Sequence, residues 1–167
     1  RSRGLGDVYK RQIYGYVEDG FYDNLAEVMA SPSADIRAKG AGMIGEIKYR
    51  NFDDNPDITS ADRVIIGDTN PDFVYGLTSN FEWKGVTLSF FLQGSQGNDI
   101  FNGNLMDMKM GNVGNITHEA YNTRWTEANA AQAKWPKAVS GYERNMLISN
   151  RYVEDGSYLK LKSLNIG

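Results

Sequence analysis

Residues Phe73–Gln93 constrain this chain more than any other stretch. Phe73, Tyr75, Leu77, Phe81 and Trp83 fall on one parity, and Val74, Gly76, Thr78, Asn80 and Glu82 on the other. Lys84-Gly85 then interrupts the pattern, and glycine supplies the positive φ that a two-residue turn demands. Beyond it Val86, Leu88, Phe90 and Leu92 alternate with Thr87, Ser89, Phe91 and Gln93. Period two through two runs of roughly ten residues predicts an antiparallel hairpin, with strands long enough to cross a membrane at a tilt. Its apolar face has two possible partners. In a soluble sandwich it packs on a second sheet; in a barrel it meets lipid, with Tyr and Trp near the strand ends. The pattern by itself leaves both open.

Composition removes several other functions. The chain has 167 residues, no Cys and a single His, His118. Disulfides, thiolate metal sites and most zinc or Ser-His catalytic arrangements are thereby excluded. A net charge of -3 argues against nucleic acid as a partner. No apolar run reaches the roughly 18–20 residues of a membrane helix, a test that a β-barrel would pass unnoticed. Eighteen Gly and ten Tyr suit a chain of many turns and strand-edge aromatics.

The first twelve residues read as foreign to the fold. Asp7–Gln12, DVYKRQ, resembles a translated sequencing-library adapter, and Arg1–Gln12 lacks the apolar core of a signal peptide. We expect this stretch to join no sheet, and the chain proper to run from Ile13. Ile13–Val17 reads as a short strand closed by a Glu18-Asp19-Gly20 turn, Phe21–Ala30 as one or two helical turns, and 31–42 as loop. Glu46–Phe52 alternates as a strand, and 52–63 reads as an acidic loop. Residues 94–150 show little strand pattern and many Asn and Gly. A loop of that length is unusual in a soluble domain but normal on the outer side of an outer-membrane barrel.

Four segments together resemble the SusC/RagA family of TonB-dependent transporters: IYGYVEDGFY at Ile13–Tyr22, the run from GEIKYRNF to DRVIIGDTNP at Gly45–Pro71, PDFVYGLTSNFEWKGVTLSFFLQGSQGNDIFN at Pro71–Asn102, and NRYVEDGSYLKLKSLNIG at Asn150–Gly167. Trp125, in RWT, is a further family-like element. The resemblance covers most of 13–167 and falls near the family's C-terminal end. It implies an all-β fold: antiparallel strands forming part of a transmembrane barrel of about 22 strands. Extracellular loop elements would occupy 13–70, a hairpin 73–93, a long loop 94–150 and a strand 151–167. It implies a bacterial outer-membrane importer of glycans or peptides, with a SusD-like lipoprotein as lid and TonB acting through a plug region not in this chain. It implies no enzyme. A soluble β-sandwich binding module, a siderophore receptor and a porin are the alternatives.

Candidate sites follow with their plainer readings. Phe73, Tyr75, Leu77, Phe81, Trp83, Val86, Leu88 and Phe90 are the expected lipid-facing set. Tyr121, Trp125 and Trp135 could stack on sugar rings, or simply pack loops together. Asp53, Asn55, Asp57 and Asp62 resemble a calcium loop that lacks its turn glycine; the plainer reading is a solvated run of Asx turns. Calcium is the one cofactor considered. The repeated triplets Glu18-Asp19-Gly20 and Glu154-Asp155-Gly156 read as turns rather than a catalytic carboxylate pair. Met106, Met108 and Met110 read as loop packing. In Tyr158–Gly167, Leu159 and Leu161 sit on one parity and Leu164 and Ile166 on the other. A bulge near Lys162-Ser163 would reunite them. The expected outcome is instead a regular strand with the pairs on opposite faces, paired to Val86–Gln93.

Overall fold

The computed structural model describes residues 11–110, 114–139 and 143–167, and the chain divides into two units. One holds residues 11–13, Gly67–Phe101 and Val153–Gly167; the other holds Tyr14–Ile66 and Asn102–Tyr152. Strands are β1 (Gln12–Gly15), β2 (Glu18–Phe21), β3 (Ile47–Tyr49), β4 (Val64–Asp68), β5 (Phe73–Trp83), β6 (Val86–Gln96), β7 (Asp99–Phe101), β8 (Val153–Asp155) and β9 (Tyr158–Ile166). Among the described residues four short helices are α1 (Leu25–Met29), α2 (Ala34–Lys39), α3 (Asn104–Lys109) and α4 (His118–Thr123). No helix among the described residues is long and apolar enough to cross a membrane.

The first unit is built on a three-stranded antiparallel sheet in the order β5-β6-β9. β5 and β6 pair without a break from Phe73↔Gln96 to Trp83↔Val86, so the hairpin turns at Lys84-Gly85 as the sequence predicts. Lys84 and Gly85 take φ of 50° and 84°. Positive φ at both central residues is the type I′ turn, whose twist matches that of the flanking strands. β6 runs three residues past the expected Gln93, to Gln96. β7 and β8 pair beyond them, Asp99 opposite Asp155.

The second unit has its own core. Tyr22, Val28, Ile36 and Met43 form a buried cluster with Ile44 against it. Ile47 and Tyr152 are fully buried nearby. Alternation in β3 holds, with Ile47 and Tyr49 buried and Lys48 between them half-buried. Of Leu25, Val28 and Met29 in the expected helical stretch, only Val28 faces the core, while Leu25 and Met29 stay exposed. Residues 31–42 are not loop: Ser33 Oγ accepts from the Ile36 N–H and starts α2, and Gly40–Met43 adds a 3-10 turn. The capping serine ahead of Asp35 and Lys39, which pair one turn apart, was a legible helix signal.

Three further expectations are corrected. Gln12 opens β1, and the Arg11 carbonyl accepts from the Thr69 N–H and hydroxyl, so these two residues join the fold; Arg1–Lys10 lie outside the described residues. Glu18-Asp19-Gly20 is not a turn but strand β2, and Gly20 at φ 86° takes up an irregularity in its pairing with β3. Glu154 and Asp155 likewise belong to β8. Residues 102–152 fold against 14–66 instead of forming an open loop, because α3, α4 and several 3-10 turns supply internal hydrogen bonds.

Candidate functional site

Directly opposed residues of an antiparallel pair project to the same face. The β5–β6 register therefore joins Phe73, Tyr75, Leu77, Phe81 and Trp83 to Val86, Leu88, Phe90 and Leu92 on one face. Phe73, Leu77, Phe81, Trp83 and Val86 are exposed, Trp83 by 71%. Leu88 and Phe90, on the central strand, are half-buried by their neighbours. The Phe81 and Phe90 rings stack with centroids 6.3 Å apart. The Tyr75 ring lies across Gly94, where an added Cβ would come within 2.2 Å of it. On the reverse face Phe91 covers Gly76 in the same manner.

β9 completes this face by a device that overturns the expected regular strand. It does pair antiparallel with β6, Leu88 opposite Ile166 through Ser95 opposite Tyr158. Between Phe91↔Ser163 and Leu92↔Leu161 one residue, Lys162, has no opposite number. This bulge shifts the parity of one half of the strand by one. Ile166, Leu164, Leu161 and Leu159 then oppose Leu88, Phe90, Leu92 and Gly94, all on the apolar face. A regular strand would have put two of the four among polar residues.

The reverse face is polar. It carries Thr78, Asn80, Glu82, Thr87, Ser89, Gln93, Ser163, Asn165 and Lys160, with Val74, Phe91 and Tyr158 as its larger apolar and aromatic members. Tyr158, Lys160 and Lys162 line one open hollow of about 510 Å³ with Leu159. The sheet therefore has one face that disfavours water and one that suits it.

The other sequence-derived sites are not gathered in this way. Trp125 and Trp135 are buried, 6% and 8% exposed, and serve the loop unit's packing. Trp125 Nε1 donates to Asp23 Oδ1 at 2.9 Å, and its ring lies across Gly45, which has φ 83°. The Arg151 guanidinium stands 5.2 Å from the Trp135 ring and 5.4 Å from Phe21. Neither indole leaves a face for a sugar ring. Tyr121 is exposed, with the Arg124 guanidinium 3.8 Å from its ring centre.

In the acidic loop, Asp53 and Asn55 side chains accept from the N–H groups of Asn55 and Asp57, the Asx turns of the plainer reading. Asp57 accepts from the Ser33 hydroxyl. Asp62 is fully buried and accepts from the Phe52 and Thr59 N–H groups, in a capping box that begins at Thr59. Among the described residues no three His, Cys, Asp or Glu side chains are grouped to hold a metal ion. Met110 is buried and Met108 exposed.

Two carboxylates, the half-buried Glu18 and the fully buried Glu46, have partners that the sequence does not show. Glu18 accepts from Ser149 Oγ at 2.6 Å and from Arg151 Nε at 2.9 Å, and so ties β2 to the end of the loop region. Glu46 is 1% exposed, accepts from Asn145 Nδ2 and has Lys137 Nζ 3.8 Å away. Burial pushes its carboxyl up to about 7, against smaller opposing effects of Asn145, Lys137 and Arg144. Burial also raises the Tyr49 and Tyr152 hydroxyls. Partners a hundred residues away carry no local signature, so only the tertiary structure shows these sites.

Mostly antiparallel strands with few, short helices are the architecture of a fragment of a β-barrel receptor. The chain is similar to two proteins of Formosa agariphila. It is 35% identical to TonB-dependent receptor P3 over 157 residues, 93% of this chain and 14% of that protein. It is 30% identical to TonB-dependent receptor P26 over 125 residues, 74% of this chain and 12% of that protein. The chain thus spans a small part of the length of the relatives it matches. No family model matches it.

Proposed function

We propose that this chain is a piece of the wall and outer loops of an outer-membrane TonB-dependent importer. One observation carries the reading: a three-stranded sheet that is apolar on one uncovered face and polar on the other. Exposed apolar area of that extent is abnormal on a soluble monomer, whereas lipid-facing barrel strands require it. Strand length agrees. Eleven residues at about 3.3 Å each, tilted by about 45°, rise about 26 Å, close to the height of the lipid band of an outer-membrane barrel. The likeness to the two receptors supports the same reading.

In this reading the apolar set from Phe73 to Phe90, with Leu92 and the β9 leucines, faces lipid, and the polar face lines the lumen. The loop unit lies outside the membrane. TonB supplies energy through a region outside this chain, and the SusC/RagA resemblance points to glycans or peptides as cargo and to a SusD-like lipoprotein as partner. The protein works as a carrier and makes or breaks no covalent bond in its cargo. The alternative sandwich needs a second sheet over the apolar face, and that face stays exposed.

Cysteine labelling tests this directly, since the segment has no cysteine of its own. Single variants Leu77→Cys, Leu88→Cys and Leu164→Cys should resist a water-soluble maleimide in intact outer membranes and take up a lipid-soluble one. Thr78→Cys, Ser89→Cys and Ser163→Cys should do the opposite. Equal labelling of both sets by the water-soluble reagent would end the membrane reading.

A further inference from the structure

We propose that Glu46 is a proton-operated clasp between the two chain runs that build the loop unit: neutral, it lets Tyr14–Ile66 close on Asn102–Tyr152, and ionised, it loosens that seam. This inference does not rest on the transport reading.

The geometry comes first. Glu46 sits at the seam with its carboxylate out of water. Around it the two runs are laced by backbone and side-chain bonds. The Lys137 N–H donates to the Gly45 carbonyl at 2.9 Å, and Lys137 Nζ to the Gly42 carbonyl at 2.6 Å. Asn145 is shared: its Oδ1 accepts from the Ile47 N–H, its Nδ2 donates to Glu46, and its carbonyl accepts from the Tyr152 hydroxyl. The Tyr49 hydroxyl donates to the Arg144 carbonyl. Loosening at Glu46 therefore reaches β3 and every crossing bond beside it.

The groups facing Glu46 do not neutralise it fully. Lys137 is the nearest cation, at 3.8 Å, beyond hydrogen-bond reach and partly in solvent. The Arg144 guanidinium stacks over the Tyr49 ring, 5.3 Å from its centre. Lys48 is drawn to Glu27 at 3.1 Å, Asp23 is held by Trp125, and Glu18 is closed by Arg151. The Tyr49 and Tyr152 hydroxyls keep their protons, because burial raises both. Among the described residues Asn145 is thus the one direct side-chain donor to a buried negative charge. Removing a carboxylate from water costs more than one amide, a distant ammonium and the Arg144 guanidinium return.

The sign follows from the direction of the shift. The buried group holds its proton up to about 7, while the solvated group releases it near 4.5. The closed state binds more protons between those values, so closure is favoured fully below about 4.5 and weakens as pH rises through about 7. Between pH 5 and 8 the local opening constant should rise roughly 70-fold, the ratio those two values imply.

Amide hydrogen exchange of the complete receptor carrying this segment, read at Ile47 and Tyr22 and corrected for intrinsic exchange rates, tests the clasp. The opening constant should climb by that factor from pH 5 to pH 8 in the unaltered protein and stay flat in Glu46→Gln. Should that variant fail to fold, Lys137→Gln keeps the carboxyl and removes the facing ammonium; it should move the midpoint of opening to higher pH. A flat profile in the unaltered protein, a profile that survives Glu46→Gln, or a midpoint indifferent to Lys137→Gln would each overturn the proposal.

Discussion

Strands β3 and β5 carry the same alternating pattern and meet opposite fates. Ile47 and Tyr49 of β3 are buried within the loop unit, with partners Asn145 and Arg144 arriving from 98 and 95 residues away. Phe73, Leu77, Phe81 and Trp83 of β5 are exposed in the sheet unit. Period two announces a strand with two unlike faces. It says nothing of what covers the apolar one. The loop unit finds its cover within itself, while the apolar face of the sheet unit has none from its own strands, and lipid is the cover proposed.

The largest expected effect lies in the self-covered region. Ile47→Ala should destabilise the loop unit by about 2–5 kcal/mol, the range for truncating a fully buried aliphatic residue. Urea titration followed by Trp125 fluorescence would measure it, and a loss below about 1 kcal/mol would show that the core is not continuous at β3. The matching test in the sheet unit is Phe90→Arg, at the middle of β6. A cation at mid-membrane depth should cost about 2–4 kcal/mol of folding into lipid vesicles, and Ser89→Arg one residue along should cost far less. Similar losses for the pair would erase the contrast between the faces.

Deleting Lys162 sharpens the comparison further. The bulge residue opposes nothing, so its removal leaves Leu161 opposite Leu92 and Ser163 opposite Phe91 in a regular ladder. Folding into vesicles should change by less than about 1 kcal/mol, within the usual range for a surface change. A large loss would mean that Lys162 does more than set register. The smallest effect belongs to the turn. Lys84 sits at φ 50°, where Asn is more at ease. Lys84→Asn should stabilise the hairpin by about 0.5 kcal/mol, reduced by the loss of the Lys84 ammonium 4.7 Å above the Trp83 ring. A melting shift to lower temperature would show that the cation–π contact outweighs backbone strain.

Part of this design was legible before any coordinates. Alternation fixes which residues of Phe73–Trp83 share a face, and the placement of Lys84-Gly85 sets the register of the whole hairpin. Both are local: they depend on neighbours within a few residues. The Asx turns of the acidic loop are equally local and were open to reading as such. The capping signals of Ser33 and Thr59 were present too, but were read as loop chemistry.

What only tertiary structure decided is non-local. The parity of Tyr158–Ile166 admits two strands, one regular and one bulged, and the choice is made by the partner. β6 offers an apolar face whose continuation requires Leu159, Leu161, Leu164 and Ile166 together, and one unpaired residue at Lys162 costs less than two leucines among Ser and Gln. For Trp125 and Trp135 the sequence leaves sugar stacking and loop packing both open, because their type is visible in sequence and their burial is not. Asp23 lies 102 residues from Trp125 and Gly45 80, and no window along the chain brings them together. Glu46 is the clearest case. In sequence it is one acidic residue ahead of an alternating run. Its carboxylate becomes a buried and shifted group only when Lys137 and Asn145 close over it, because the dielectric around a charge is set by everything packed near it in space.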